Sequence, residues 1–138
     1  MQLRKDAKVA LIQNVPLFRH CSRKELGEIA AIADELDLRE GAKLTAEGKR
    51  GREFFVILEG NADVLMDGKR VNSVRPGDFF GEIALVTGRP RTATVQATSP
   101  VRVLVITSRD FSRLLDDSPE IQRKILLSMA ERLTAAVL

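Results

Sequence analysis

Between Leu36 and Ile106 the chain breaks into short apolar or alternating runs, none longer than a typical strand, and glycine punctuates them. The runs are Leu36–Arg39, Lys43–Ala46, Glu53–Leu58, Ala62–Met66, Arg70–Val74, Thr92–Ala97 and Val101–Ile106. Gly41, Gly48, Gly51, Gly60 and Gly68 fall between the earlier ones, where a chain must reverse and only glycine takes positive φ at no cost. Asp67-Gly68 separates two runs by two residues, the signature of a type I′ hairpin. Strands this short and evenly spaced close into a compact antiparallel barrel or jelly roll.

Helical patterns lie on both sides of this segment. Leu3, Ala7 and Leu11 mark a moderate helix over 3–14, and Asn14-Val-Pro16-Leu-Phe18 breaks it with two large apolar residues. Ser22 and Glu25 have the spacing of a capping box, and Leu26, Ile29, Ala30 and Ala33 follow at helical intervals. Ser108 caps a short helix with Phe111, Leu114 and Leu115 inward, and Ser118-Pro119-Glu120 opens the last one. On that helix Ile121, Ile125, Leu126, Met129, Ala130, Leu133, Ala136 and Val137 form an apolar face wider than one-sided packing needs. The expected fold class is therefore α+β. An antiparallel β-roll at 36–107 is flanked by an N-terminal helical part at 1–35 and two C-terminal helices at 108–138, all in one domain of 138 residues.

Composition narrows the chemistry. One histidine, His20, and one cysteine, Cys21, exclude an internal disulfide and a His or Cys metal cluster within the chain, so no metal site and no catalytic residue is expected. Both are assigned to local packing in the segment that connects the first two helices. The net charge of +3 comes from scattered basic residues without Trp or Tyr, so no nucleic-acid surface is expected. No apolar run is long enough for a membrane span and no secretory signal opens the chain, which makes the cytoplasm the expected location.

The chemistry concentrates in FFGEIALVTGRPRTATV, residues 79–95. Gly81 lets the backbone approach a ligand, and the free N–H groups of the short helix after it suit an anion. Glu82 alone would repel a phosphate, but it fits beside one if it accepts from a sugar hydroxyl. Arg91, nine positions on, brings a planar guanidinium that matches phosphate oxygens. Arg89 is expected to point outward. Together these groups ask for a ligand with one phosphate near a free ribose hydroxyl.

This stretch resembles the phosphate-binding cassette of the cyclic nucleotide-binding domain family, which includes the regulatory subunits of cAMP-dependent kinase, the catabolite activator protein and cyclic nucleotide-gated channels. The pattern Gly-Glu-aliphatic-Ala-Leu, a short loop, then Pro-Arg-Thr-Ala matches without a gap. VPLF before a helix, EGKRGREFFVILEG in the roll and two helices after it extend the match over nearly the whole chain. Lys49-Arg50 depart from relatives that carry an acid or small polar residues there, and are assigned to solvated surface.

The resemblance implies a regulatory module without catalysis or cofactor, whose ligand is cAMP and alternatively cGMP. Glu82 would accept the ribose 2′-hydroxyl beside the Gly81 backbone, the N–H groups of Ile83 and Ala84 would meet the cyclic phosphate, and Arg91 would pair with its exocyclic oxygens. Thr92 would donate to the phosphate or meet a guanine amino group, and leaves the base open. Phe80, Pro90 and Ala93 complete the expected ligand-binding set. The last helix would relay binding to an output domain or protein partner, with a homodimer left open. The sensor half of a catabolite-activator-like regulator without its DNA-binding domain is the alternative.

Overall fold

The computed structural model describes residues 3–81 and 84–137. The chain divides into two compact units, Asp34–Arg109 and the pairing of residues 1–33 with 110–138.

The strand unit is an antiparallel roll of two four-stranded sheets. One has the order β1-β8-β3-β6, from β1 (Asp34–Leu38), β8 (Val101–Thr107), β3 (Glu53–Glu59) and β6 (Phe79–Phe80). The other is β2-β7-β4-β5, from β2 (Lys43–Thr45), β7 (Thr94–Ala97), β4 (Ala62–Met66) and β5 (Lys69–Val74). Each sheet contributes alternate side chains to one core. Phe55, Ile57, Val101 and Val103 come from the first, and Leu44, Ala62, Val74, Val95 and Ala97 from the second. Alternation along short strands puts these residues on the inner faces, where burial at ~25 cal/mol per Å² favours the closed roll. The expected hairpin is present: Asp67 (φ 52°) and Gly68 (φ 76°) both take the positive φ of a type I′ turn. β6 is not among the strands expected from the sequence. It has only two residues and exists through pairing with Phe55 and Val56 of β3.

The helical unit contains α1 (Lys5–Ile12), a 3₁₀ turn at Pro16–Phe18, α2 (Arg23–Ala31), most of α4 (Ser108–Asp117) and α5 (Pro119–Val137). The capping box closes as expected: Glu25 N–H donates to Ser22 Oγ (3.2 Å) and Ser22 N–H to Glu25 Oε1 (2.7 Å). Ser118 Oγ accepts from the N–H of Ile121 (3.3 Å), with Pro119 at the first helical position. Phe18 packs against Phe111 at a ring-centroid distance of 6.0 Å. Ile121, Ile125 and Ser128 form the buried stripe of α5, whereas Leu126 is 68% exposed. The apolar face expected there is thus only partly covered; the side chains of Leu133, Ala136 and Val137 lie outside the described ones. Lys124 Nζ meets Glu25 Oε1 at 2.6 Å, so α5 is tied by charge to α2. His20, assigned to packing, pairs through Nε2 with Glu131 of the same helix. Cys21 is half-buried, and burial pushes its thiol up to about 11.

Candidate functional site

The segment 79–95 belongs entirely to the strand unit. It leaves β6, passes through the four-residue helix α3 (Ala84–Thr87) and returns as β7. Glu82 and Ile83, both expected to meet ligand, lie outside the described residues.

Arg91 is the best-defined member. Its side chain is only 9% exposed. One guanidinium nitrogen donates to the main-chain oxygen of Glu53, and the same nitrogen stands 3.8 Å from the Glu53 carboxylate. Burial pushes its pKa down, and the Glu53 carboxylate works in the opposite direction. An arginine keeps its charge under such pressure, so this is a poorly hydrated cation held in place.

The backbone around Arg91 explains why it stays. Gly48 N–H donates to Arg91 O (2.9 Å), Arg91 N–H to Lys49 O (2.6 Å) and Gly51 N–H to Arg89 O (3.1 Å). Arg50 and Pro90 form an antiparallel bridge. The 48–51 turn, whose Lys49 and Arg50 are exposed as expected, thus clamps the end of the cassette segment.

Gly81 (φ 89°) lies directly against this guanidinium. A Cβ there would come within 2.6 Å of Arg91 Nη1 and 2.7 Å of the Glu53 main-chain oxygen. Close backbone approach is therefore required at Gly81, but in this structure the group it admits is Arg91.

A cavity of about 230 Å³ opens beside these residues, lined by Phe80, Arg91, Thr92, Ala93, Thr45 and Val64 among others. Phe80 stacks on Phe55 (centroids 5.1 Å apart) and forms an apolar wall. Thr92 and Pro90 are exposed, and Arg89 is exposed as expected. Of the expected residues, Phe80, Arg91, Thr92 and Ala93 share the cavity; Pro90 is placed next to it by the bridge to Arg50, and Ala84 opens α3.

Thr45 and Glu53 are additions to the expected set. Thr45 is buried, its Oγ1 donating to Ala93 O (3.0 Å) and accepting from Val95 N–H (3.1 Å), which fixes the β2–β7 register at its bulge. The sequence offers only a threonine and a glutamate in strand-like runs. Among the described residues no group of three His, Cys, Asp or Glu side chains could hold a metal ion, and no helix is long and apolar enough to cross a membrane.

Residues 35–118 match the family model described as "Cyclic nucleotide-binding domain". The chain belongs to the cyclic nucleotide-binding domain family. It is 40% identical over 116 residues to a cAMP-dependent protein kinase regulatory subunit of Mycosarcoma maydis, covering 75% of this chain and 22% of the relative. It is 37% identical over 128 residues to a cyclic nucleotide-gated potassium channel of Mesorhizobium japonicum, covering 91% of this chain and 35% of the channel. The chain thus spans about a third or less of the length of the curated relatives it matches. The crystal structure of the N-terminal domain of a transcriptional regulator from Streptomyces coelicolor superposes with a TM-score of 0.83 at 29% identity, covering 92% of this chain and 94% of that one. Cyclic nucleotide-binding domains are regulatory and generally non-catalytic, and the antiparallel roll with flanking helices is their fold.

Proposed function

We propose that this cyclic nucleotide-binding domain, 1–138 acting as one module, binds cAMP at the Arg91 cavity and reports binding through its C-terminal helices. The observation that carries the reading is the poorly hydrated Arg91 guanidinium at the edge of the 230 Å³ cavity, with one weakly placed carboxylate as its only charged partner among the described residues. A singly charged cyclic phosphate is a better partner than a carboxylate 3.8 Å away, because the guanidinium fork can bond two of its oxygens.

In this reading Glu82 accepts the ribose 2′-hydroxyl and the N–H groups of Ile83 and Ala84 meet the phosphate. Phe80 and Ala93 border the ligand, Pro90 sets the entry of Arg91, and Thr92 donates toward the phosphate. The kinase regulatory subunit relative supports cAMP as the ligand. Thr92 at the cavity supports cGMP as the second reading, through its hydroxyl and the guanine amino group. A ligand moves the C-terminal helices only by its differential affinity for two arrangements. The likeness to a transcriptional regulator's N-terminal domain supports a sensor role in a longer protein, where α5 would pass the signal on.

Titration with cAMP and cGMP by calorimetry, with amide hydrogen exchange on α5 in both states, tests this. Saturable binding with cAMP the tighter ligand and altered exchange along α5 is the expected result. Tighter cGMP binding reverses the ligand choice, and unchanged exchange along α5 removes the relay.

A further inference from the structure

The turn that clamps Arg91 also borders a second, larger cavity of about 470 Å³, within the ~300–1,000 Å³ range of small-molecule sites. Its charged wall is built from Arg50, Arg52 and Arg109, with Glu53, Gly88 and Ser108 beside them.

Strand pairing forces these residues together. Glu53 of β3 stands opposite Thr107 of β8, so the positions just beyond that pair, Arg52 and Ser108, also meet. Ser108 N–H donates to Arg52 O at 2.7 Å, and Arg109 follows directly. On the other side Gly51 N–H is held by Arg89 O, and Arg50 is bridged to Pro90. A fixed backbone frame thus sets three exposed arginines around one cavity.

Among the described residues none of the three has a carboxylate partner. Glu53, the one carboxylate in the lining, faces Arg91 at 3.8 Å. Three like charges around one cavity repel, and with a single carboxylate in the lining their excess positive charge suits an external anion. Guanidinium forks match phosphate oxygens two at a time, and three of them exceed what a single phosphate needs. We propose that this cavity is an anion site distinct from the Arg91 cavity, taking a ligand with more than one phosphate group.

The test is calorimetric titration of the whole chain with inorganic pyrophosphate at ionic strength held constant with KCl. Orthophosphate is the single-phosphate comparison, and Arg52→Gln/Arg109→Gln and Arg91→Ala are the variants. Neither arginine of the double variant has a carboxylate partner among the described residues, so the fold should persist, which circular dichroism verifies. The expected result is saturable pyrophosphate binding, tighter than orthophosphate. It should weaken about tenfold or more in the double variant and persist in Arg91→Ala. Wild-type binding weaker than a Kd of about 1 mM overturns the proposal. So does binding that survives the double variant but vanishes with Arg91→Ala, since pyrophosphate would then sit at the cyclic nucleotide cavity. Because no cyclic nucleotide is used, the outcome is separable from the test of cAMP binding.

Discussion

Replacing Gly81 with alanine tests the geometry of the Arg91 cavity through two additive costs. The backbone at φ 89° strains any residue with a Cβ, at about 1–3 kcal/mol. The new methyl would also lie 2.6 Å from Arg91 Nη1 and 2.7 Å from the Glu53 main-chain oxygen. The flexible guanidinium can give way, but strand β3 fixes that oxygen, so the backbone at residue 81 must shift as well, and forced repacking adds about 1–3 kcal/mol. The sum, about 2–6 kcal/mol, is a large share of the ~5–15 kcal/mol that holds a domain together. In urea, with a slope of about 1.5 kcal/mol per M, the midpoint should fall by about 1–4 M. Gly68→Ala is the control. Gly68 has φ 76° with nothing within 4 Å of its added Cβ, so only the backbone cost of about 1–2 kcal/mol should appear. In an Arg91→Ala background the clash with the guanidinium disappears, and Gly81→Ala should cost about 1 kcal/mol less than in the wild type. Costs that add to within about 0.5 kcal/mol would refute the close approach of Arg91 to Gly81. A Gly81→Ala cost no larger than that of Gly68→Ala would refute the steric argument as a whole.

Glu53→Gln removes the carboxylate that competes for Arg91 but keeps the main-chain acceptor. A long ion pair whose carboxylate is exposed contributes up to about 1 kcal/mol, so cAMP should bind up to about fivefold more tightly by calorimetry. Thr45→Val deprives Ala93 O and Val95 N–H of their side-chain partner, and urea unfolding should show a loss of about 1–3 kcal/mol. The side-chain hydrogen bond from Lys124, then the Ser22 cap, holds the Glu25 carboxyl below its usual value of 4.5. A depressed carboxylate contributes stability above its unfolded pKa and loses it as pH falls through the folded value. Glu25→Gln keeps the cap but loses the ion pair. Its urea midpoint should lie below the wild-type one at pH 7, and the gap should close as pH drops below about 4.5.

What the sequence discloses and what it hides follow from the range of the forces involved. The Asp67-Gly68 hairpin, the Ser22–Glu25 capping box and the Ser118-Pro119 helix start are local, each set within four residues, and all appear as the residues foretell. The β-roll is legible because alternation and glycine spacing repeat along 36–106. β6 is not, since two residues carry no periodicity and Phe79–Phe80 become a strand only by pairing with β3. The cassette segment declares itself through Gly81 and Arg91, but the partners of Arg91 do not. Glu53 lies 38 positions away and Thr45 lies 48 from Ala93, so only the closed roll makes them neighbours. Gly81 is legible as a close-approach position, yet the group it accommodates here, a guanidinium, cannot be inferred from its neighbours in the chain.

Parallel calorimetric titration of the wild type and Arg91→Ala with cAMP shows whether Arg91 takes the phosphate. Removing one partner of a desolvated charge pair typically costs about 2–5 kcal/mol, so the variant should bind at least about thirtyfold more weakly while its fold persists. Equal affinity of the two proteins for cAMP would contradict the assignment of Arg91 as the residue that takes the phosphate.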